Sequence, residues 1–385
     1  MKRMLPVMLI LGFSLFVGAA NSQAQWTPIK RLTWNNGTSY FPTIAADSSG
    51  NVHVVWSDDT PGNYEIFYGK STDGGSTWMT TQRITWNNGD SLAPAIAVDS
   101  SGNPHVVWYD KTPGNYEIYY RKSTNGGSSW MTTQRISWNI GSTQYPAVAV
   151  DSSGSVHVVW YDDMPGNREI YYRKSTNGGS SWVTTQRITW NNGHSLSPDI
   201  AVDPSGNPHA VWHDSTPGNY EIFYRKSANG GSTWMTIQRI SWNNAYSLCP
   251  AIAVDSSGNV HVVWYDSTPG NFTVYFRKSP NWGSTWMTTQ RITWDNAFSG
   301  YPDIAVDSSG NVHMVWYGDK PGNYEIYYRK STNGGSTWMA SQRITWKDGT
   351  SALPDIAVDS SGNVHVVWDD DTTGNREIYY LKCVK

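Results

Sequence analysis

One segment repeats along nearly the whole chain with a step of 52 residues. Its second copy, residues 82–133, reads QRITWNNGDSLAPAIAVDSSGNPHVVWYDKTPGNYEIYYRKSTNGGSSWMTT. The serine that opens the last part of each copy stands at Ser71, Ser123, Ser175, Ser227, Ser279 and Ser331. A fixed period of this size means stacked supersecondary units, because one unit alone cannot bury its apolar face.

Each copy predicts four short strands rich in Val, Ile, Tyr and Trp, and no helical periodicity. In the second copy these are strand A over Pro94–Asp99, strand B over His105–Asp110, strand C over Tyr116–Ser123 and strand D over Gln134–Trp138. Ser-Ser-Gly-Asn and Thr-Pro-Gly-Asn supply the turns between them. Radial repetition of such units gives an all-β fold, a β-propeller of four-stranded antiparallel blades.

Strands A to C occur seven times, with strand-B tryptophans at Trp56, Trp108, Trp160, Trp212, Trp264, Trp316 and Trp368. The seventh copy stops at Lys385 without a strand D. The stretch Trp26–Trp34 matches Trp78–Trp86, so the N-terminal strand is expected to close the last blade. An open solenoid would leave sheet edges bare. Residues 25–385 are therefore expected to form a single seven-bladed domain.

Residues 1–24 read as a signal peptide: Lys2 and Arg3 precede an apolar run from Leu5 to Ala20, with small residues at Ser22 and Ala24. The run is shorter than the ~20 residues of a spanning helix. A secreted or periplasmic protein without stable membrane insertion is expected. Its two cysteines, Cys249 and Cys383, fall in different sectors of the ring, so no disulfide is expected. A formal net charge of -3 gives no reason to expect nucleic acid as a partner.

The segment Ser71-Thr-Asp73-Gly-Gly75-Ser-Thr77-Trp78 resembles the Asp-box (BNR) motif, with Asn replacing the aspartate at Asn125, Asn177, Asn229, Asn281 and Asn333. The repeats are similar to those of BNR propellers of the sialidase (neuraminidase) superfamily. The resemblance implies a structural role for the box, on the face opposite an active site. It also implies, for a catalytic member, three arginines on the substrate carboxylate, a Tyr nucleophile with a Glu, and an Asp acid/base.

That asymmetric set is hard to find here. No arginine stands two residues before any strand-A proline. Glutamates keep to one slot on strand C, and arginines to two slots, on strands C and D. Glu117 and Arg121 are predicted to share a face, with a strand-D arginine beside them in a repeated ion-pair network. Only Arg168 and Arg376 leave register. Seven of the nine histidines share a strand-B slot, which points to a repeated contact. The Asp58-Asp59 and Asp162-Asp163 pairs read as solvated loop charge. No catalytic residue, metal or cofactor is expected.

The binding candidates are the tryptophans that end strand D: Trp34, Trp86, Trp138, Trp190, Trp242, Trp294 and Trp346. Each precedes a polar loop on the face that also carries Asp110, Asn115 and Tyr116 in the second copy. An indole face suits sugar C–H groups, and Asn and Asp acceptors suit hydroxyls. The sequence therefore predicts a monomeric, multivalent binder of glycans or cell-surface polymers. The alternatives are a sialidase-like glycoside hydrolase with a degenerate site and a protein-interaction scaffold.

Overall fold

The computed structural model describes residues 25–385 apart from 165, 295–296, 321 and 347. The segment read as a signal peptide lies outside the described residues. The ring contains seven antiparallel sheets and no helix among the described residues. In the second blade strand A is Ser91–Val98, strand B Pro104–Asp110, strand C Glu117–Lys122 and strand D Gln134–Arg135.

The seventh blade takes its outer strand from the N-terminus. Gln25 and Trp26 pair with Val384 and Cys383, and Lys30 and Arg31 pair with Tyr380 and Tyr379. Across the same seam Ile44, Val54 and Trp56 of the first blade pack on Val367, Ile378 and Tyr380 of the seventh. The other apolar clusters likewise join neighbouring blades, as where Val55, Ile66, Tyr68 and Ile84 meet Val106 and Trp108. Closure therefore buries apolar surface at every interface and leaves no terminal face exposed.

Strand A begins three residues earlier than its hydrophobic run suggests, because each copy carries a bulge before its proline. In the second blade the register shifts between Leu92 and Ala95, and Ala93 takes a left-handed φ of 45°. The same slot holds Phe41, Tyr145, Ser197, Cys249, Tyr301 and Leu353, all at positive φ. Strand D is shorter than expected. The Ile136 amide still donates to the Ile118 carbonyl at 2.8 Å, and beyond it a hydroxyl replaces the backbone ladder, with the Ile118 amide donating to Ser137 Oγ at 2.8 Å.

The histidine slot is a structural tie. His105 Nδ1 lies 2.7 Å from Tyr120 Oη, and His105 Nε2 lies 3.4 Å from Asp99, whose carboxylate also shapes the A–B turn. Tyr120 reaches the next blade, where a Cβ on Gly179 would sit 1.9 Å from its hydroxyl. Gly179 also has a φ of 79°, so glycine is required there twice over. Each Ser-x-Asx hairpin closes on itself: the Gly75 amide donates to Ser71 Oγ, and Thr77 donates its amide and hydroxyl to Asp73. Asn125 likewise accepts the Ser129 amide. Cys249 and Cys383 are both free thiols.

Candidate functional site

The seven strand-D tryptophans are 60–71% exposed, whereas the strand-B set is fully buried. The difference follows from position: strand B is enclosed between strands A and C, while strand D is the rim. At Trp34, Trp86 and Trp294 the exposed indole borders a groove between its own blade and the next. The groove at Trp34 has a volume of about 530 Å³ and is walled by Leu32, Trp56, Pro61, Phe67 and Thr81. The groove at Trp86 is narrower, about 160 Å³, with Trp108, Tyr119 and Thr133 in the corresponding places. The groove at Trp294 measures about 470 Å³, with Gly318 where six other blades carry aspartate.

Strand-C aromatics complete these grooves, and the sequence did not single them out. Phe67 stacks on Trp56 at 6.2 Å and Tyr119 on Trp108 at 6.1 Å. The buried tryptophan thus holds the wall that faces the exposed one. Guanidinium groups fix the exposed indoles in turn. Arg83 and Arg121 lie 5.9 and 5.5 Å from the Trp86 ring, and Arg173 lies 5.1 Å from Trp138.

Asp110 and Asn115 build the loops beside this groove. Asp110 is buried and accepts hydrogen bonds from Asn87 Nδ2 and Ser91 Oγ, both at 2.7 Å, and from the Thr112 amide at 2.8 Å. Asn115 Nδ2 donates to Glu117 and to the Asn139 carbonyl. Tyr116 packs edge-on against Tyr109 at 5.0 Å. Asp58 and Asp59 are similarly engaged with Asn35, Ser39 and the Thr38 amide.

The predicted ion-pair network forms, with one change. Arg135 pairs with the buried Glu117 at 2.7 Å, and the same pairing recurs at Arg31–Glu377, Arg83–Glu65, Arg187–Glu169, Arg239–Glu221 and Arg343–Glu325. Arg121 does not join it. Its guanidinium crosses to the preceding blade and bonds the Ile84 carbonyl.

At the hub the bulge residues and prolines enclose a cavity of about 280 Å³. Asp199, Asp303 and Asp355 line it, and the lining contains no arginine among the described residues. Each carboxylate accepts the amide of the next blade's strand A: Asp199 from Ile252 and Asp303 from Ile356 at 2.9 Å, and Asp355 from Ile44 at 2.6 Å. Burial pushes the Asp199 pKa up to about 7. Asp303 and Asp355, hydrogen-bonded to each other, are also raised, chiefly by burial. The sequence signal was an Asp in three copies where Thr43, Ala95, Ala147 and Ala251 stand in the others.

The two out-of-register arginines lie apart. Arg376 pairs with buried Asp369 and sits 5.4 Å from the Tyr40 ring. Arg168 lies 5.6 Å from Tyr161. The two extra histidines accept backbone amides: His213 from Cys249 and His194 from Arg168, each at 3.2 Å.

No protein-family model matches the chain, and none of the curated proteins matches it by sequence. Solved structures match its fold. A protein of unknown function from Dyadobacter fermentans aligns with TM-score 0.59 at 13% identity, over 93% of this chain and 99% of that one. The NanB sialidase of Streptococcus pneumoniae (a K499G mutant) gives 0.53 at 14%, over 92% and 70%. The α-L-arabinofuranosidase arb93a of Fusarium graminearum gives 0.55 at 13%, over 90% and 93%. The fold is that of the sialidase-like β-propellers, and its structural neighbours include sialidases and other glycoside hydrolases.

Proposed function

We propose that this chain is a secreted, non-catalytic propeller that binds carbohydrate, as free glycans or cell-surface polymers, through its inter-blade grooves. The observation that carries the reading is the recurrence of one exposed strand-D indole at all seven positions, which at Trp34, Trp86 and Trp294 stands at the edge of an aromatic-walled groove. Indoles of this exposure leave apolar area in water that a stacked sugar ring would bury. Seven rim indoles spaced around one ring give weak single-site affinity and strong avidity on a repeating polymer. The neighbours' carbohydrate chemistry supports this ligand class. A glycan array read with the mature chain, and again after Trp→Ala changes at the strand-D positions, tests it. Retention of binding in the substituted protein contradicts it.

The hub favours a second reading. Its support is three cavity-lining aspartates with raised pKa, the property that acid/base chemistry on a glycosidic bond requires. Against it, each is tied to a backbone amide and none faces an arginine. Hydrolysis of a fluorogenic sialoside or arabinofuranoside that is lost in Asp199→Asn or Asp303→Asn would favour the hydrolase.

A further inference from the structure

Five grooves contain a strand-C arginine: Arg121, Arg173, Arg225, Arg277 and Arg329. Its placement is stereotyped. Arg173 stacks on Trp138, donates Nη1 to the Ile136 carbonyl at 2.7 Å and donates Nε to the Val183 carbonyl at 2.7 Å. Arg277 does the same with Trp242 at 5.0 Å, Ile240 at 2.6 Å and Met287 at 2.7 Å. Arg225 lies 5.5 Å from Trp190 and reaches the Ile188 carbonyl at 2.6 Å. One indole face and two carbonyls, one from each blade, form a guanidinium seat.

The first and seventh blades depart from this pattern in different ways. In the seventh the slot holds Leu381, which is buried in the core with Ile344 and Trp368. In the first it holds Gly69. No side chain from Gly69 can reach the carbonyls of Leu32 and Met79, the counterparts of Ile136 and Val183. The frame of the seat is intact. The Met79 amide still donates to the Lys70 carbonyl at 2.8 Å, as Val183 does to Lys174 at 2.9 Å. Trp34 keeps Arg31 at 5.8 Å, and the groove beside it is about 530 Å³, lined by both Leu32 and Trp34. A second guanidinium near that indole is no obstacle, since Trp86 carries two.

We infer that the groove at Trp34 is a receptor for an alkylguanidinium, namely an arginine side chain presented by a partner polypeptide. The five sibling grooves act as internal templates of the bound state. A planar fork with several N–H donors matches two divergent carbonyls and an indole face, whereas an ammonium is a compact, strongly hydrated charge that matches them poorly. The inference does not rest on sugar binding, which the six remaining grooves would still support.

The test is an NMR titration of the full mature chain, following the tryptophan indole N–H signals, with Trp34 assigned through Trp34→Phe. The probes are ethylguanidinium, ethylammonium, and a short peptide bearing one arginine or, as its uncharged counterpart, citrulline. The Trp34 signal should shift saturably with ethylguanidinium and with the arginine peptide. It should respond at least about tenfold more weakly to ethylammonium and to the citrulline peptide. Gly69→Arg should abolish the response. A Cβ there lies 3.3 Å from the Trp56 ring, and five sibling blades carry an arginine in the same slot beside their own strand-B tryptophan. Arg121→Gly should transfer the response to Trp86, which guards against a folding failure of the first variant. An unshifted Trp34, a response that survives in Gly69→Arg, or equal movement of all seven rim indoles would overturn the inference. So would ethylguanidinium binding without binding of the arginine peptide, because it removes the polypeptide source.

Discussion

Asp355 of the seventh blade accepts the Ile44 amide of the first at 2.6 Å, so a hub carboxylate spans the seam where the ring closes. Asp303 and Asp199 repeat the arrangement at two other interfaces. These carboxyl groups crowd into one cavity, where burial disfavours their charged forms and Asp303 and Asp355 hydrogen-bond to each other.

That crowding predicts a pH effect, clearest at Asp199. Burial, with Asp303 nearby, lifts its pKa to about 7, against about 3.9 in an unfolded chain. A raised pKa favours the fold while the group is protonated. The contribution is complete below about pH 4 and is lost as pH climbs through 7. Buried histidines such as His213, held by desolvation at about 4, act in the opposite sense, so the wild-type profile mixes both. Asp199→Asn isolates the carboxylate. Urea denaturation should find variant and wild type equally stable near pH 4 and the variant ahead by roughly 4 kcal/mol at pH 8. A constant difference across that range would show that the hub does not hold a proton.

The closing strand carries its own test. Arg31 neutralises Glu377, which is fully buried in the seventh blade. Arg31→Ala leaves that carboxylate without its cation and should cost about 3 kcal/mol in chemical denaturation. Arg168→Ala, at an exposed position, should change stability by less than about 0.5 kcal/mol. Similar effects for the two would mean that the N-terminal strand is not integral to the ring.

The tyrosine–glycine contact between blades predicts two opposite outcomes. Gly179→Ala places a methyl against Tyr120 Oη at a positive φ and should lower stability by about 2–4 kcal/mol. In the fifth blade Phe276 stands in the tyrosine slot, and His261 Nδ1 is left without a hydrogen bond. Phe276→Tyr should restore the bond and raise stability by about 1 kcal/mol. Thermal unfolding of the two variants measures both effects, and a destabilised Phe276→Tyr would show that the fifth interface is packed differently.

The blade count, the strand order and the closure were legible because the repeat writes each strand seven times and the seventh copy lacks the piece that the N-terminus supplies. The Glu117–Arg135 pair was legible from two slots filled in register. Arg121 was misplaced because sharing a strand face with Glu117 says nothing about the neighbouring blade, to which its long side chain reaches. The bulge at Ala93 hid behind a proline that looked like the start of a strand. Asp199, Asp303 and Asp355 were passed over in the sequence, because only closure of the ring brings them around one cavity. Asp110 and Asn115 have the composition of ligand contacts, yet the loops themselves consume their hydrogen-bonding capacity.

The central claim is that several like grooves, each centred on an exposed indole, share the recognition of one polymer. Its most direct measurement is affinity for an array-selected polysaccharide as Trp86, Trp138, Trp190 and Trp242 are changed to Ala one after another. Shared recognition predicts a loss of severalfold at each step, with little change for the matching monosaccharide in the grooves left intact. Full binding after all four changes, or complete loss at a single one, would contradict it.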